Sequence, residues 1–206
     1  MQFKYYRISN LPSLSWCAVV PIELSEVYVY HGDGVEAFEN YFVEGAWDGD
    51  FCSGDFAMSE FFVGSGGIKS EQHGVIFATS SHTHERLHSV SSENATIISN
   101  SLPFVLFMSE SELDPEYIHY ESDFNSILKG INEYIRELPL KGGKRLCLHY
   151  YCNILLKGNG KKMVELQKKN VKPFTSYNDY ESRLLRMLKN IVANAQSPER
   201  KVKYGL

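Results

Sequence analysis

The chain has 206 residues, 43% of them hydrophobic and 22% charged, a composition of folded globular proteins that excludes a disordered chain. Lys and Arg number 21 against 25 Asp and Glu, a net charge of -4 with no basic block, so binding to a nucleic-acid backbone is not expected. No run of about 18 apolar residues is present, so no membrane span is expected.

The first twenty residues hold one short apolar stretch broken by Ser and Cys, which is no signal peptide. A cytoplasmic chain is therefore expected, with Cys17, Cys52, Cys147 and Cys152 as reduced, mostly buried thiols. Asn94-Ala95-Thr96 matches a glycosylation acceptor but carries no meaning without secretion. The aromatic share of 13% suits sheet surfaces and points to a β-rich core.

Val27–Tyr30 reads as a strand. Gly32-Asp33-Gly34 follows and predicts a hairpin, with a helix over Val35–Glu44 as the rival. Residues 45–60 mix Gly, Asp and aromatics and read as loop. Val75–Thr79 is a short buried strand. Arg86–Val90 and Ala95–Asn100 are two more, joined by the turn residues Ser91-Ser92-Glu93-Asn94.

Helix starts are expected at Ser101-Leu102-Pro103 and Leu113-Asp114-Pro115, each with Pro in the first turn. Leu128, Ile131, Tyr134, Ile135 and Leu138 fall at helical spacing, with Pro139 as the stop. Leu146–Leu156 reads as one strand, and the lysine-rich stretch Lys157–Lys172 as a solvated linker. After Pro173, a stripe of Tyr177, Tyr180, Leu184, Leu188, Ile191 and Ala195 predicts a helix, with Asn178 and Glu181 as its capping pair. The tail from Ser197 begins as another strand.

Three local patterns bear on chemistry. His84-Glu85-Arg86-Leu87-His88 is an HExxH match, which on a helix would place two imidazoles on one face for zinc with Glu85 as base. The flanks read as strand and poor helix sequence, so polar residues at a strand end are expected instead, and no metal. Gly64-Ser65-Gly66-Gly67-Ile68-Lys69-Ser70 looks like a phosphate loop but is one residue too short for a Walker loop, so a glycine turn is expected. No cysteine has a neighbouring base that would activate it.

Several stretches in order resemble the amidotransferase half of asparagine synthetases. Glu85–Val90 is similar to the family's Arg-Pro-Leu-Tyr-Tyr strand, and Ala95–Leu106 to its second strand and short helix. Ser126–Ile131 through Leu138-Pro139 resembles a Gly-Ile-x-x-Leu-x-Pro segment, and Leu148–Tyr151 a closing strand. Phe174–Ala195 looks like the helix leading into the ATP-pyrophosphatase half, and Tyr204-Gly205-Leu206 would precede its SGGxDS strand. The resemblance covers roughly residues 60–206.

The resemblance implies an α+β, N-terminal-nucleophile-like αββα sandwich of two mainly antiparallel sheets plus a C-terminal helix. Residues 1–172 would be the amidotransferase-like domain, and 173–206 a helix and linker toward a synthetase domain. An active member exposes Cys as its first residue, whose own amine is the base; here Met1-Gln2-Phe3 stand there, and the family's Asn-Gly-Glu loop is not evident. The expected role is thus a non-catalytic, docking domain of an ATP-dependent ligase, with no catalytic residue of its own. Alternatives are a glutaminase using a processed Cys17, an HExxH zinc hydrolase, or a free-standing ligand binder. No cofactor is expected in this chain; ATP and Mg would belong to the synthetase half. That half is the expected partner, with a homodimer as a second. Ser65, Gly66, Gly67, His82, His84, Arg86 and Asn100 are the candidate binding residues.

Overall fold

The computed structural model describes residues 1–23, 25–70, 74–157, 162–168 and 173–202. Two sheets stack face to face. Strands β1 (Gln2–Arg7), β2 (Trp16–Pro21), β3 (Glu26–His31), β4 (Glu36–Ala37), β5 (Tyr41–Trp47), β6 (Phe62–Ser70) and β7 (Gly74–Ala78) come first. They are followed by β8 (Leu87–Ser91), β9 (Ala95–Ser99), β10 (Glu137–Pro139), β11 (Arg145–His149), β12 (Cys152–Lys157) and β13 (Lys162–Gln167). The first sheet has the order β1-β3-β2-β9-β8-β11-β10 and the second β13-β12-β7-β6-β5-β4. Only β1 against β3 is parallel among the described pairs.

The layer between the sheets explains their stacking. Phe3, Trp16, Val27, Val29, Leu87 and Ile98 from the first sheet meet Phe42, Val75, Phe77, Ile154 and Leu156 from the second. Trp16 packs edge-on to Phe42 at 4.9 Å and parallel to Phe77 at 6.0 Å. Each such side chain removed from water contributes about 1.5–3 kcal/mol, and strand alternation delivers them all to one face. The outer face of the first sheet is covered by α1 (Leu102–Met108), α2 (Tyr120–Phe124) and a neighbouring single-turn helix (Ser126–Lys129), through Phe104, Val105, Tyr120, Phe124 and Ile127. On the outer face of the second sheet, Trp47, Phe51, Phe56 and Phe62 cluster beneath two short turns of helix, and α3 (Tyr177–Ala195) lies along β5. The α+β class, the two mainly antiparallel sheets and the C-terminal helix are therefore as expected. No helix among the described residues is long and apolar enough to cross a membrane.

Several sequence expectations are corrected. Asp33-Gly34 does not close a hairpin, and residues 35–44 form no helix: β3 belongs to one sheet and β4 to the other. The turn carries the chain across the sandwich because Val35 and Phe42 are both needed in the central core. The helix expected over 128–138 is absent: a single 3-10 turn, Ser126–Lys129, ends at Gly130, and residues 130–138 are not helical. Gly130 has φ 115°, Leu128 is 88% exposed and Ile135 is exposed too; Ile131, Tyr134 and Leu138 reach one core cluster without a helix, and Leu138 pairs with Leu146 in β10. Helix α2 begins at Tyr120, well after Pro115.

Leu146–Leu156 is two strands in different sheets. The chain breaks at Tyr151, whose φ of 51° ends β11 and re-aims β12. Both strands are buried, which is why the run read as one. The stretch 157–172 contains β13, an edge strand that pairs along β12, followed by Lys168, whose Nζ donates to the Thr79 carbonyl; residues 158–161 and 169–172 lie outside the described residues, as does the end of the tail. From Ser197 to Val202 the tail forms turns. The N-cap of α3 is Ser176, whose side chain accepts from the Asp179 N–H, and not Asn178. Strands β1 and β2 carried no sequence expectation.

Candidate functional site

The glycine-rich segment 64–70 is neither a phosphate loop nor a turn, but strand β6. Gly64 and Gly45 face each other across β5 and β6, both with φ 122°. A Cβ on Gly64 would sit 2.0 Å from the Glu44 carbonyl oxygen, and one on Gly45 2.0 Å from that of Val63. Only glycine permits this approach. Gly66 and Gly67 lie deeper, against Phe42, and do not line a cavity.

Beside the Gly45–Gly64 pair, Glu44 and Ser65 stand opposite each other in register. Ser65 Oγ donates to Glu44 Oε1 at 2.6 Å and accepts from Trp16 Nε1 at 2.8 Å. Asn100, just past β9, accepts from the Trp16 N–H at 2.9 Å and donates to the Leu14 carbonyl at 2.9 Å and to Glu44 Oε1 at 3.5 Å. The network stitches the ends of β2, β5, β6 and β9 together. Burial pushes the Glu44 carboxyl up to about 8; the Ser65 hydrogen bond opposes that rise and the Glu85 charge adds to it. At neutral pH Glu44 is therefore a neutral acid. Its Oε1 accepts from both Ser65 and Asn100.

These residues floor a cavity of about 330 Å³ whose rim is the 79–88 segment. Ser80 accepts from the Gly64 N–H at 2.8 Å and donates to Glu85 Oε2 at 2.5 Å. His82 Nδ1 accepts from the His84 N–H, and its Nε2 lies 3.6 Å from Glu85. Arg86 is held by the Phe124 carbonyl, by the Tyr150 hydroxyl and by both aromatic rings, and its Nε donates to His88 Nε2 at 3.1 Å. Burial, then the Arg86 charge, drives His88 down to about 3, so its imidazole is neutral. With Nε2 accepting, the hydrogen is on Nδ1, which is buried and directed at the backbone of Ser99, the residue opposite His88 in β9, without a hydrogen bond of full geometry.

Of the sequence candidates, Ser65, His84, Arg86 and Asn100 line the cavity. His82 stands beside it, and Gly66 and Gly67 belong to the sheet interior. The HExxH segment forms no helix: residues 81–84 are bends and Leu87 opens β8, so His84 is exposed while His88 is buried. Glu44 and Ser80 were not anticipated. The one available signal for Glu44 was a lone carboxylate within an apolar strand sequence, Tyr41-Phe42-Val43-Glu44.

No thiol lines the cavity. Cys17 is fully buried and packs with Val90, Ile97 and Val105 on the helix-covered side of the first sheet, and burial pushes its thiol far up. All four cysteines are free; Cys52 is the exposed one. The chain matches no model of a known protein family, no curated protein and no solved structure.

Proposed function

We propose that this chain is a non-catalytic, glutamine-amidotransferase-like domain of an asparagine-synthetase-like ligase, which docks on an ATP-using half and does not hydrolyse glutamine itself. The observation that carries the reading is the chemistry at the end of the sandwich. The cavity is lined by hydrogen-bonding groups and by no thiol, and Ser65 Oγ is already engaged, donating to Glu44 Oε1 at 2.6 Å and accepting from Trp16 Nε1 at 2.8 Å. The buried Cys17 thiol faces the helix layer, away from the Trp16 side chain that borders the site. The two-sheet sandwich with helices on both outer faces suits the N-terminal-nucleophile architecture. Exposed Tyr177, Leu185 and Leu188 on α3 offer an apolar surface for the docking partner.

The test is an ammonia-release assay with glutamine on the purified chain and on Cys17→Ala. Both should match the blank. Ammonia that appears with the wild type and disappears in Cys17→Ala overturns the reading in favour of a processed glutaminase.

A second reading, a ligand-binding module, is favoured by the polar side chains of Ser65, His84, Arg86 and Asn100, which line one cavity of about 330 Å³. Calorimetric titration with small polar metabolites should then give heats that vanish in Ser65→Phe; no heat with any of them discards this reading.

A further inference from the structure

Apart from the cavity, three side chains from three strands converge where the chain crosses between the sheets. His149 ends β11 in the first sheet, and Cys152 opens β12 in the second, three residues later. Tyr151, with its left-handed backbone, makes the crossing and folds the two side chains toward each other. Glu165 comes from the edge strand β13. One ligand atom from each, an imidazole nitrogen, the thiol sulfur and a carboxylate oxygen, lies within 4.8 Å of the other two.

We propose that His149, Cys152 and Glu165 form a binding site for a divalent transition metal of the zinc class. The donor set selects that class: a thiolate disfavours magnesium and calcium, and imidazole, thiolate and carboxylate are all ordinary zinc ligands. The geometry needs little adjustment. Zinc bonds of about 2.0–2.3 Å place tetrahedral ligand atoms roughly 3.3–3.8 Å apart, so a pair at the 4.8 Å limit would close by about 1 Å, while the His149 Nδ1 to Glu165 Oε1 pair, at 2.8 Å, opens by about 0.5 Å.

The surroundings have the form of an outer coordination shell. His149 is 2% exposed, and its Nε2 is hydrogen-bonded to Ser89 Oγ at 2.8 Å, with Ser89 fully buried. That leaves Nδ1 for the metal. Without metal, Nδ1 shares a hydrogen with Glu165 Oε1 at 2.8 Å. On loading, the imidazole hydrogen shifts to Nε2, where Ser89 Oγ accepts it, and the Cys152 thiol gives up its proton to solvent. The far oxygen of Glu165 is fixed by Arg136 at 2.6 Å. Metal-bound histidines and carboxylates are held by partners of this kind. Three protein ligands leave a fourth position on the solvent side at Glu165, whose side chain is 34% exposed. Because His149 belongs to one sheet and the other two ligands to the second, a bound ion would staple the sandwich at the β13 edge.

The test uses the whole chain, purified without a polyhistidine tag, stripped with chelator and titrated with cobalt(II). A near-ultraviolet thiolate-to-cobalt band should saturate at one ion per chain and be displaced by zinc. Cys152→Ser should abolish it. Should Cys152→Ser fail to fold, Glu165→Gln, at the exposed edge, keeps the test open: with circular dichroism unchanged, affinity should fall at least about tenfold. Cys52→Ala, which removes the exposed thiol, should leave the band intact. No band at equimolar cobalt, a band that survives Cys152→Ser, one lost in Cys52→Ala, or an affinity unmoved by Glu165→Gln would overturn the proposal.

Discussion

Arg200 meets Glu36 at 2.5 Å with both side chains almost wholly buried, although 164 residues separate them. The guanidinium carbon lies 4.3 Å from the centre of the Phe51 ring, and the remaining donors go to the Gly45 carbonyl and to Asn194. The backbone N–H groups of Lys201 and Val202 complete the Glu36 carboxylate. The segment after α3 is thereby fastened to β4 and β5, the strand that carries Glu44.

Removing one member of a buried pair leaves the other charge uncompensated, at a cost of about 3–5 kcal/mol. Arg200→Ala and Glu36→Ala should each lower stability by that amount in urea denaturation. The double variant should cost clearly less than the sum. Additive losses would mean that the two groups do not act as a pair.

Glu44 gives stability a definite pH dependence. Its carboxyl rises from 4.5 to about 8 on folding, so between these values the folded chain binds more protons than the unfolded chain. Stability from this group therefore falls as pH rises through that window, by up to roughly 1.4 kcal/mol per unit. Below 4.5 the effect is absent, and above 8 it is complete. Glu44→Gln keeps the shape and the Ser65 acceptor, so the variant should gain on the wild type in melting temperature from pH 5 to pH 8. A constant difference across that range would contradict the assignment.

Gly64→Ala places a Cβ against the Glu44 carbonyl in a backbone region that alanine avoids. A loss of at least about 3 kcal/mol is expected. At Gly142 φ is also positive, but the added Cβ would meet no atom within 4 Å, so Gly142→Ala should cost only about 1 kcal/mol. Equal losses at both sites would remove close approach as the reason for Gly64.

Along α3 the two leucines of the predicted stripe differ. Leu184 lines a groove with Phe61, Tyr180 and Met187, while Leu188 is 47% exposed. Leu188→Asp should change stability by no more than about 0.5 kcal/mol, and Leu184→Asp should cost about 1–2 kcal/mol, read by chemical denaturation. A Leu188→Asp chain that unfolds would make α3 a core helix.

What the sequence disclosed follows from how local each signal is. β8 and β9 were readable because the turn Ser91–Asn94 sits between two β-branched or apolar runs, and α3 because its stripe persists for five turns. The 128–138 stretch misled because five apolar residues at helical spacing can arise without a helix; Gly130 and the pairing of Leu138 with Leu146 decide it, and that pairing is tertiary. At the site, Ser65 was found in a glycine-rich segment read as a turn, and Asn100 at the end of a predicted strand. Glu44 and the trio at His149 were not, because which polar side chain turns inward depends on strand register across sheets.

The parallel pairing of β1 with β3 bears on how the chain must assemble. β1 and β2 are consecutive and run in opposite directions, so the first local structure open to the emerging chain is a direct β1–β2 hairpin. The finished sheet forbids it, because β3 lies between them. β1 can therefore take its place only by pairing with β3, and any β1–β2 contact has to open before the first sheet can finish.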